Sequence, residues 1–100
     1  MNTFGISEKA FVQIVDTLKS FDFISKAVIF GSRAKGTYRR YSDVDICIFG
    51  ELDIFDSEKV KGALDDLNAI YEFDVVSWDA ITTPSLREHI NRVGIPFMEK

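Results

Sequence analysis

The 100-residue chain contains one cysteine and two prolines, and it has no long uninterrupted apolar run. Cys47 has no second cysteine to pair with, which excludes a disulfide framework and favours a reducing compartment. The apolar runs are too short for a membrane-spanning helix, which needs about 20 residues. The start of the chain also lacks the basic and apolar segments of a signal peptide. We therefore expect a cytoplasmic protein with no membrane association.

Positive charge is also scarce, because 12 Lys and Arg stand against 16 Asp and Glu for a net charge of -4. Strong non-specific binding to nucleic acid is therefore not expected, and any polyanion must be held locally. Hydrophobic residues make up 46% of the chain and nine residues are Phe, which excludes a disordered chain. At this length we expect one ordered domain over residues 1–100.

The hydrophobic pattern alternates between helical and strand periods. Strands are predicted at 26–30, 43–49 and 71–77, with a short edge strand at 95–98. Helices are predicted after Ser7, between Ser32 and Gly36, from Asp56 or Ser57 to Ile70, and from Thr83 to Gly94. This order predicts a two-layer α/β (α+β) domain, with a mixed sheet of three to four strands and helices packed on one face.

Three aspartates lie within the second and third predicted strands. Asp43 and Asp45 share one face of the second strand, and Asp74 can join them if the third strand lies beside it in the same direction. Carboxylates about 4 Å apart repel by roughly 4 kcal/mol per pair at an effective dielectric near 20, so such a cluster needs a cation. Oxygen ligands favour Mg²⁺, with Mn²⁺ as an alternative, and two such ions suit displacement at phosphorus. The alternative is a solvated strand start, with Asp74 guarding an edge strand.

Gly31 and Ser32 follow the first strand directly and open a short helix. Backbone N–H groups, a hydroxyl and a helix N-terminus can together bind phosphate. Four basic residues could add charge or form only a solvated loop: Arg33, Lys35, Arg39 and Arg40. A P-loop is excluded because Lys35 precedes the second glycine, Gly36, instead of following it.

The remaining polar and aromatic candidates carry weaker signals. His89 lies one position before an apolar residue in the last predicted helix, where packing or surface roles are commoner than catalysis. Tyr38, Tyr41 and Trp78 could stack on a base or cover the core.

The run Gly31-Ser32-Arg33-Ala34-Lys35-Gly36, followed by Ser42-Asp43-Val44-Asp45-Ile46 and by Asp74, resembles the DNA polymerase β nucleotidyltransferase superfamily. Within it, the chain is similar to the minimal nucleotidyltransferases, over roughly residues 8–98. The resemblance implies the polymerase-β-like nucleotidyltransferase fold. It also implies that Gly31 and Ser32 bind the β and γ phosphates of a nucleoside triphosphate, with Arg33 assisting or shaping the turn. Asp43 and Asp45 would hold both Mg²⁺ ions, and Asp74 would complete the catalytic ion and help activate the acceptor hydroxyl.

Minimal nucleotidyltransferases lack the additional helical domain of larger members and commonly act beside a helical HEPN protein. The resemblance therefore implies an antitoxin that transfers AMP from ATP to a tyrosine of a HEPN toxin. Two alternatives stay open: a non-catalytic subunit that neutralises its partner by occlusion, and a transferase acting on a small molecule.

Overall fold

The computed structural model describes residues 4–67 and 70–100, which form a four-stranded mixed sheet with helices against it. The elements are α1 (Glu8–Lys19), β1 (Ile24–Phe30), α2 (Gly31–Lys35), β2 (Val44–Gly50), α3 (Asp56–Asp65), β3 (Phe73–Ser77), α4 (Pro84–Val93) and β4 (Ile95–Glu99). The strand order is β3-β2-β1-β4. β1 runs antiparallel to β2 and β4, whereas β2 and β3 are parallel. The predicted mixed sheet and the predicted edge strand β4 are confirmed.

The predicted start of α1 and both predicted ends of α4 are also confirmed. The Ser7 hydroxyl accepts a hydrogen bond from the Ala10 amide at 3.2 Å, which satisfies one of the free N–H groups at the start of α1. α4 follows Thr83, has a proline in its first turn and ends before Gly94. No helix in the described part of the chain is long and apolar enough to cross a membrane.

The sheet is buried on both faces, which the sequence pattern did not reveal. Ala27 and Ile29 of β1 pack in one apolar cluster with α1 and α3, whereas Val28 and Phe30 pack in a second cluster with Ile90 of α4. The prediction placed the helices on one face of the sheet. In the structure α1 and α3 lie on one face, whereas α4 covers the opposite face. A short apolar run that is buried on both sides shows no alternation, so periodicity could not assign α4 to a face.

One predicted helix ends early. α3 stops at Asp65, so the prediction that it extends to Ile70 is wrong; Ile70 is 78% exposed. Residues 68 and 69 of this segment lie outside the described residues. Asp65 and Asp66 stand at the end of α3 and no basic residue lies in its last turn. Negative charge at a helix C-terminus opposes the helix dipole, which disfavours extension.

Candidate active site

Asp45 lies in a row of three residues across neighbouring strands. It stands opposite Phe30 of β1 on one side and opposite Asp74 of β3 on the other. Side chains of directly paired residues share a face of the sheet, so both carboxylates lie on the face that α4 covers. The sequence analysis predicted that Asp74 joins Asp45 if the third strand lies beside the second in the same direction. The parallel pairing of β2 and β3 meets this condition.

Asp43 lies one residue before β2 and is exposed. The backbone groups of the residues on both sides of it are held by hydrogen bonds. The Val44 amide donates to the Glu72 carbonyl at 2.8 Å, and the Ser42 carbonyl accepts from the Arg33 side chain. Asp43 is therefore carried between two anchored residues, although its own side chain faces solvent.

The carboxyl group of Asp45 is electrostatically coupled to both other acids. Its pKa is raised from 3.8 to about 6, mainly because it is half-buried, and further because Asp74 and Asp43 bring negative charge near it. The positive charge of Arg33 opposes this rise. A cation beside these acids would offset the repulsion that raises the pKa.

Gly31 contacts the Asp45 carboxylate. Its φ of 74° lies in the left-handed region, and a Cβ at this position would collide with Oδ2 of Asp45. The first turn of α2 therefore begins directly against the central acid. Its early N–H groups have no partner within the helix.

Ser32 and Gly36 show how α2 is bounded. Ser32 lies inside α2, not at its N-cap, which is Phe30, so the predicted Ser32 cap is wrong. Gly36 ends α2 with a φ of 79°, as predicted for a left-handed C-cap. Ser32 is half-buried in the first turn, one residue after the contact between Gly31 and Asp45.

Arg33 points into the protein and is only 1% exposed. Its guanidinium donates to the Phe4 carbonyl at 2.8 Å and to the Ser42 carbonyl at 2.9 Å. It also lies over the rings of Tyr38 and Tyr71, 5.2 Å from each centroid. Of the two roles that the resemblance allowed, assisting phosphate binding or shaping the turn, these contacts favour the second.

The other basic residues near the turn are solvent-facing. Lys35, Arg39 and Arg40 are all exposed, so they are free to approach an anion or to remain solvated. Tyr41 is exposed beside Arg40, whose guanidinium is 5.6 Å from the tyrosine ring. These contacts do not choose between the two interpretations of this loop.

Two aromatic contacts place other sequence candidates. His89 of α4 meets the Phe30 ring edge-on at 6.2 Å, so it flanks the row that contains Asp45. Trp78 stacks on Phe49 at 5.2 Å and covers the α4 side of the sheet. The sequence gave no signal for Phe30 as a neighbour of Asp45, because that proximity depends on strand register.

One cavity lies close to Asp43 along the chain, and another lies against α1. A cavity of about 230 Å³ lies beside the residues that lead into Asp43 and into β3; its lining is Arg40, Tyr41, Ser42, Ile70, Tyr71 and Glu72. A larger one of about 430 Å³ lies against α1, and neither cavity is lined by any of the three aspartates. The smaller cavity includes Ser42 and Glu72, the sequence neighbour of Asp43 and a residue two positions before Asp74.

Within residues 4–67 and 70–100, no group of three His, Cys, Asp or Glu side chains is arranged so that it could already hold a metal ion. The chemistry of the donors nevertheless fits a hard divalent cation. Asp43, Asp45 and Asp74 offer only carboxylate oxygens, which Mg²⁺ and Mn²⁺ prefer. Asp45 and Asp74 already stand side by side on adjacent strands.

Comparison with known proteins places the chain in a family. The model of the family "Polymerase beta, Nucleotidyltransferase" matches residues 12–100. A Haemophilus influenzae protein named probable protein adenylyltransferase MntA is 36% identical in an alignment 73 residues long, which covers 71% of this chain and 63% of the relative. This chain thus spans less than two thirds of the length of the curated relatives that it matches.

Solved structures share the fold. A chain of a toxin–antitoxin complex with AMP-PNP aligns with a TM-score of 0.68 at 20% identity, covering 91% of this chain and 72% of that one. A chain of the complex between a tri-AMPylated Shewanella oneidensis HEPN toxin and an MNT antitoxin aligns with a TM-score of 0.67 at 17% identity, covering 91% and 71%. The resemblance found in the sequence is confirmed, and the chain belongs to the polymerase beta nucleotidyltransferase family.

Proposed function

We propose that this chain is a divalent-metal-dependent nucleotidyltransferase that moves AMP from ATP to a hydroxyl group, with a tyrosine of a HEPN-type toxin as the acceptor. The observation that carries the proposal is the position of Asp45, which lies against Gly31 at the start of α2 and opposite Asp74 on β3. A phosphate-binding turn and paired carboxylates are the two parts that transfer at phosphorus requires.

Each residue has a role in this proposal. Gly31 and Ser32 bind the β and γ phosphates through the first turn of α2. Asp43, Asp45 and Asp74 hold two Mg²⁺ ions, or Mn²⁺ ions, which when bound neutralise charge on the phosphates and the acceptor oxygen. Asp74 also helps to accept the proton of the attacking hydroxyl. The acceptor oxygen forms its new bond to the α phosphorus as the bond to the β phosphate breaks, and pyrophosphate leaves.

The comparisons support the choice of nucleotide and acceptor. One structural neighbour was solved with AMP-PNP, another contains a tri-AMPylated HEPN toxin with its MNT antitoxin, and the Haemophilus influenzae relative is named an adenylyltransferase. These names describe the relatives; ATP, AMP and the HEPN partner are proposals for this chain. A reducing compartment, the cytoplasm, is part of the same proposal because Cys47 is a buried free thiol.

A second candidate function is neutralisation of the partner by occlusion alone. One surface feature favours it: Ile54 and Phe55 are consecutive, apolar and 77% and 63% exposed. Exposed apolar side chains that adjoin one another commonly mark protein–protein contacts. Occlusion requires neither a nucleotide nor the three acids.

The two functions are distinguished by calorimetric titration of the chain with ATP and Mg²⁺ and by pyrophosphate release in the presence of the partner. Transferase function predicts ATP binding and partner-dependent pyrophosphate release, both lost in Asp43→Ala/Asp45→Ala. Asp16→Ala, which removes an exposed acid of α1, is the matched control and should retain both. A tight complex without ATP binding would reject the transferase and support occlusion.

A further inference from the structure

We propose that Arg33 is a positioning residue of the active site, which fixes the chain entering Asp43 relative to the turn formed by Gly31 and Ser32. This inference rests on the proposed function, because it concerns how that site is held together. It assigns Arg33 no contact with the nucleotide.

The hydrogen bonds of Arg33 join three separate segments. Arg33 belongs to α2, two residues after Gly31. Its Nε and one terminal nitrogen donate to the Ser42 carbonyl at 3.2 and 2.9 Å, and its other terminal nitrogen donates to the Phe4 carbonyl at 2.8 Å. Ser42 directly precedes Asp43, so the helix of the phosphate turn is tied to the residue before the first acid.

Two tyrosine rings also contact the guanidinium, whose central carbon lies 5.2 Å from each ring centroid. Tyr38 comes from the loop after α2, and its ring packs so closely on Gly5 that a Cβ there would collide with it. Tyr71 comes from the segment before β3, and its hydroxyl accepts a hydrogen bond from the Ser7 amide at 3.1 Å. Arg33 therefore also contacts the segment that leads to Asp74.

The contacts require arginine rather than any cation. A planar guanidinium can donate along two edges while it lies over aromatic rings, whereas a lysine ammonium is a single point of charge that cannot make this set of contacts. A buried cation is costly unless its donors are satisfied, and here backbone carbonyls satisfy them. Arg33 thus forms a rigid junction between α2, residue 42 and the N-terminal segment.

Burial separates Arg33 from the neighbouring basic residues. Lys35, Arg39 and Arg40 are exposed, whereas Arg33 is 1% exposed with its donors already bound to protein carbonyls. Apart from the effect of its positive charge on Asp45, which lysine would keep, its influence on the reaction therefore passes through the position of Asp43. Residues that orient metal ligands in this indirect way typically change metal affinity or activity by about 10–100-fold when altered.

The test compares Arg33→Lys with Leu18→Ala, a destabilised control. Leu18 is fully buried near the end of α1, and β1 starts shortly after it and runs towards Phe30 and the site. Three quantities are measured on the full chain: Mn²⁺ affinity by electron paramagnetic resonance, kcat and KM for transfer, and exchange of the Ser42 amide hydrogen. The Ser42 amide donates to the Arg39 carbonyl at 3.0 Å, so its exchange reports the order of the loop without metal or substrate.

We expect Arg33→Lys to weaken Mn²⁺ binding by about tenfold or more. Its kcat should fall by a similar factor with little change in KM for ATP, and the Ser42 amide should exchange faster while the Gly94 amide, bound to Ile90, does not. Leu18→Ala should lose stability yet keep Mn²⁺ affinity and kcat in its folded fraction. If Arg33→Lys does not fold, Tyr38→Leu removes one ring and should move the same readouts in the same direction.

Unchanged Mn²⁺ affinity and unchanged Ser42 exchange in the folded variant would overturn the inference. It would also be overturned if Leu18→Ala changed the readouts in the same proportion, since the role would then be stability alone. The proposed function can fail independently of this inference. If the wild-type chain transfers nothing, exchange of the Ser42 amide in Arg33→Lys still decides whether Arg33 orders this loop.

Discussion

Gly31 lies directly against the carboxylate of Asp45, and a methyl group at residue 31 would collide with Oδ2 of that aspartate. The glycine begins α2, and the aspartate lies in the strand between β1 and β3. This contact joins the turn proposed to bind phosphate to the acid at the centre of the proposed metal site. A side chain at residue 31 and the Asp45 carboxylate cannot occupy this space together.

Gly31→Ala should therefore strongly reduce the rate of transfer. The new Cβ displaces the Asp45 carboxylate, and a misplacement of about 1 Å at a reacting centre can cost about a hundredfold in rate. The variant should also lose stability, since alanine is disfavoured at a φ of 74° by about 1–2 kcal/mol. Steady-state transfer and urea unfolding measure the two effects.

Gly36→Ala and Gly62→Ala separate the collision from backbone strain. Gly36 has a similar φ of 79° but open space around a Cβ, so its alanine variant should lose stability and keep transfer. Gly62 lies in α3 with no atom within 4 Å of a Cβ, and its alanine variant should gain about 0.5–1 kcal/mol. Equal loss of transfer in Gly31→Ala and Gly36→Ala would refute the role of the contact.

Asp45→Asn should stabilise the metal-free protein while eliminating transfer. The pKa of Asp45 is raised to about 6 in the folded chain, mainly by burial and then by Asp74 and Asp43. Between pH about 4 and about 6 the folded chain holds a proton that the unfolded chain releases, so this group's contribution to stability falls as pH rises through that window. Above pH about 6 the contribution is constant and lowest.

Urea unfolding with EDTA at pH about 4.5 and about 7.5 tests this sign. The stability gained in Asp45→Asn should be larger at the higher pH, because the wild-type carboxylate is charged there. Asp16→Asn, at an exposed position of α1, should show a small change at both values. An equal gain at both pH values for Asp45→Asn would contradict the assignment.

Cys47 should be chemically inert in the folded protein. It is fully buried in β2, and burial raises the pKa of its thiol to about 12. The thiolate is the reactive form, so alkylation at pH about 8 should occur only after unfolding. Mass analysis after iodoacetamide treatment, with and without urea, measures this directly. Rapid alkylation of the folded chain would mean that the sheet opens at β2.

Asp74→Asn should lower kcat with a small effect on KM for ATP, since Asp74 is assigned to one ion and to the acceptor hydroxyl. General base assistance typically contributes about 10²–10⁴-fold, which sets the expected loss. Glu72→Gln is the matched control, because Glu72 is an exposed acid two residues earlier and should be dispensable. A rise in KM for ATP with kcat unchanged would instead assign Asp74 to nucleotide binding.

Local signals in the sequence predicted much of the fold. Ser7, Gly36, Thr83 and Gly94 mark helix ends in the structure, because a capping hydroxyl, a left-handed glycine and a proline in the first turn all act within about one turn of the chain. The alternation around Asp45 likewise identified which strand residues share a face. These features depend on near neighbours, so the sequence contains them.

Long-range placement could not be read in the same way. The pairing of Asp45 with Asp74 depends on strand register, and α4 covers a face that the unbroken apolar run in β1 did not distinguish. The sequence identifies Arg33 only as a basic residue beside a turn that could bind phosphate. Its burial depends on the Phe4 carbonyl and on Tyr71, which are 29 and 38 positions away.

The central claim is tested most directly by intact-mass analysis of a HEPN-type protein, the proposed partner, after incubation with the chain, ATP and Mg²⁺. We expect the partner to gain one or more whole AMP units with the wild-type chain and none with Asp43→Ala/Asp45→Ala. No gain in mass with the wild-type chain, despite a stable complex with that partner, would contradict the proposed transfer.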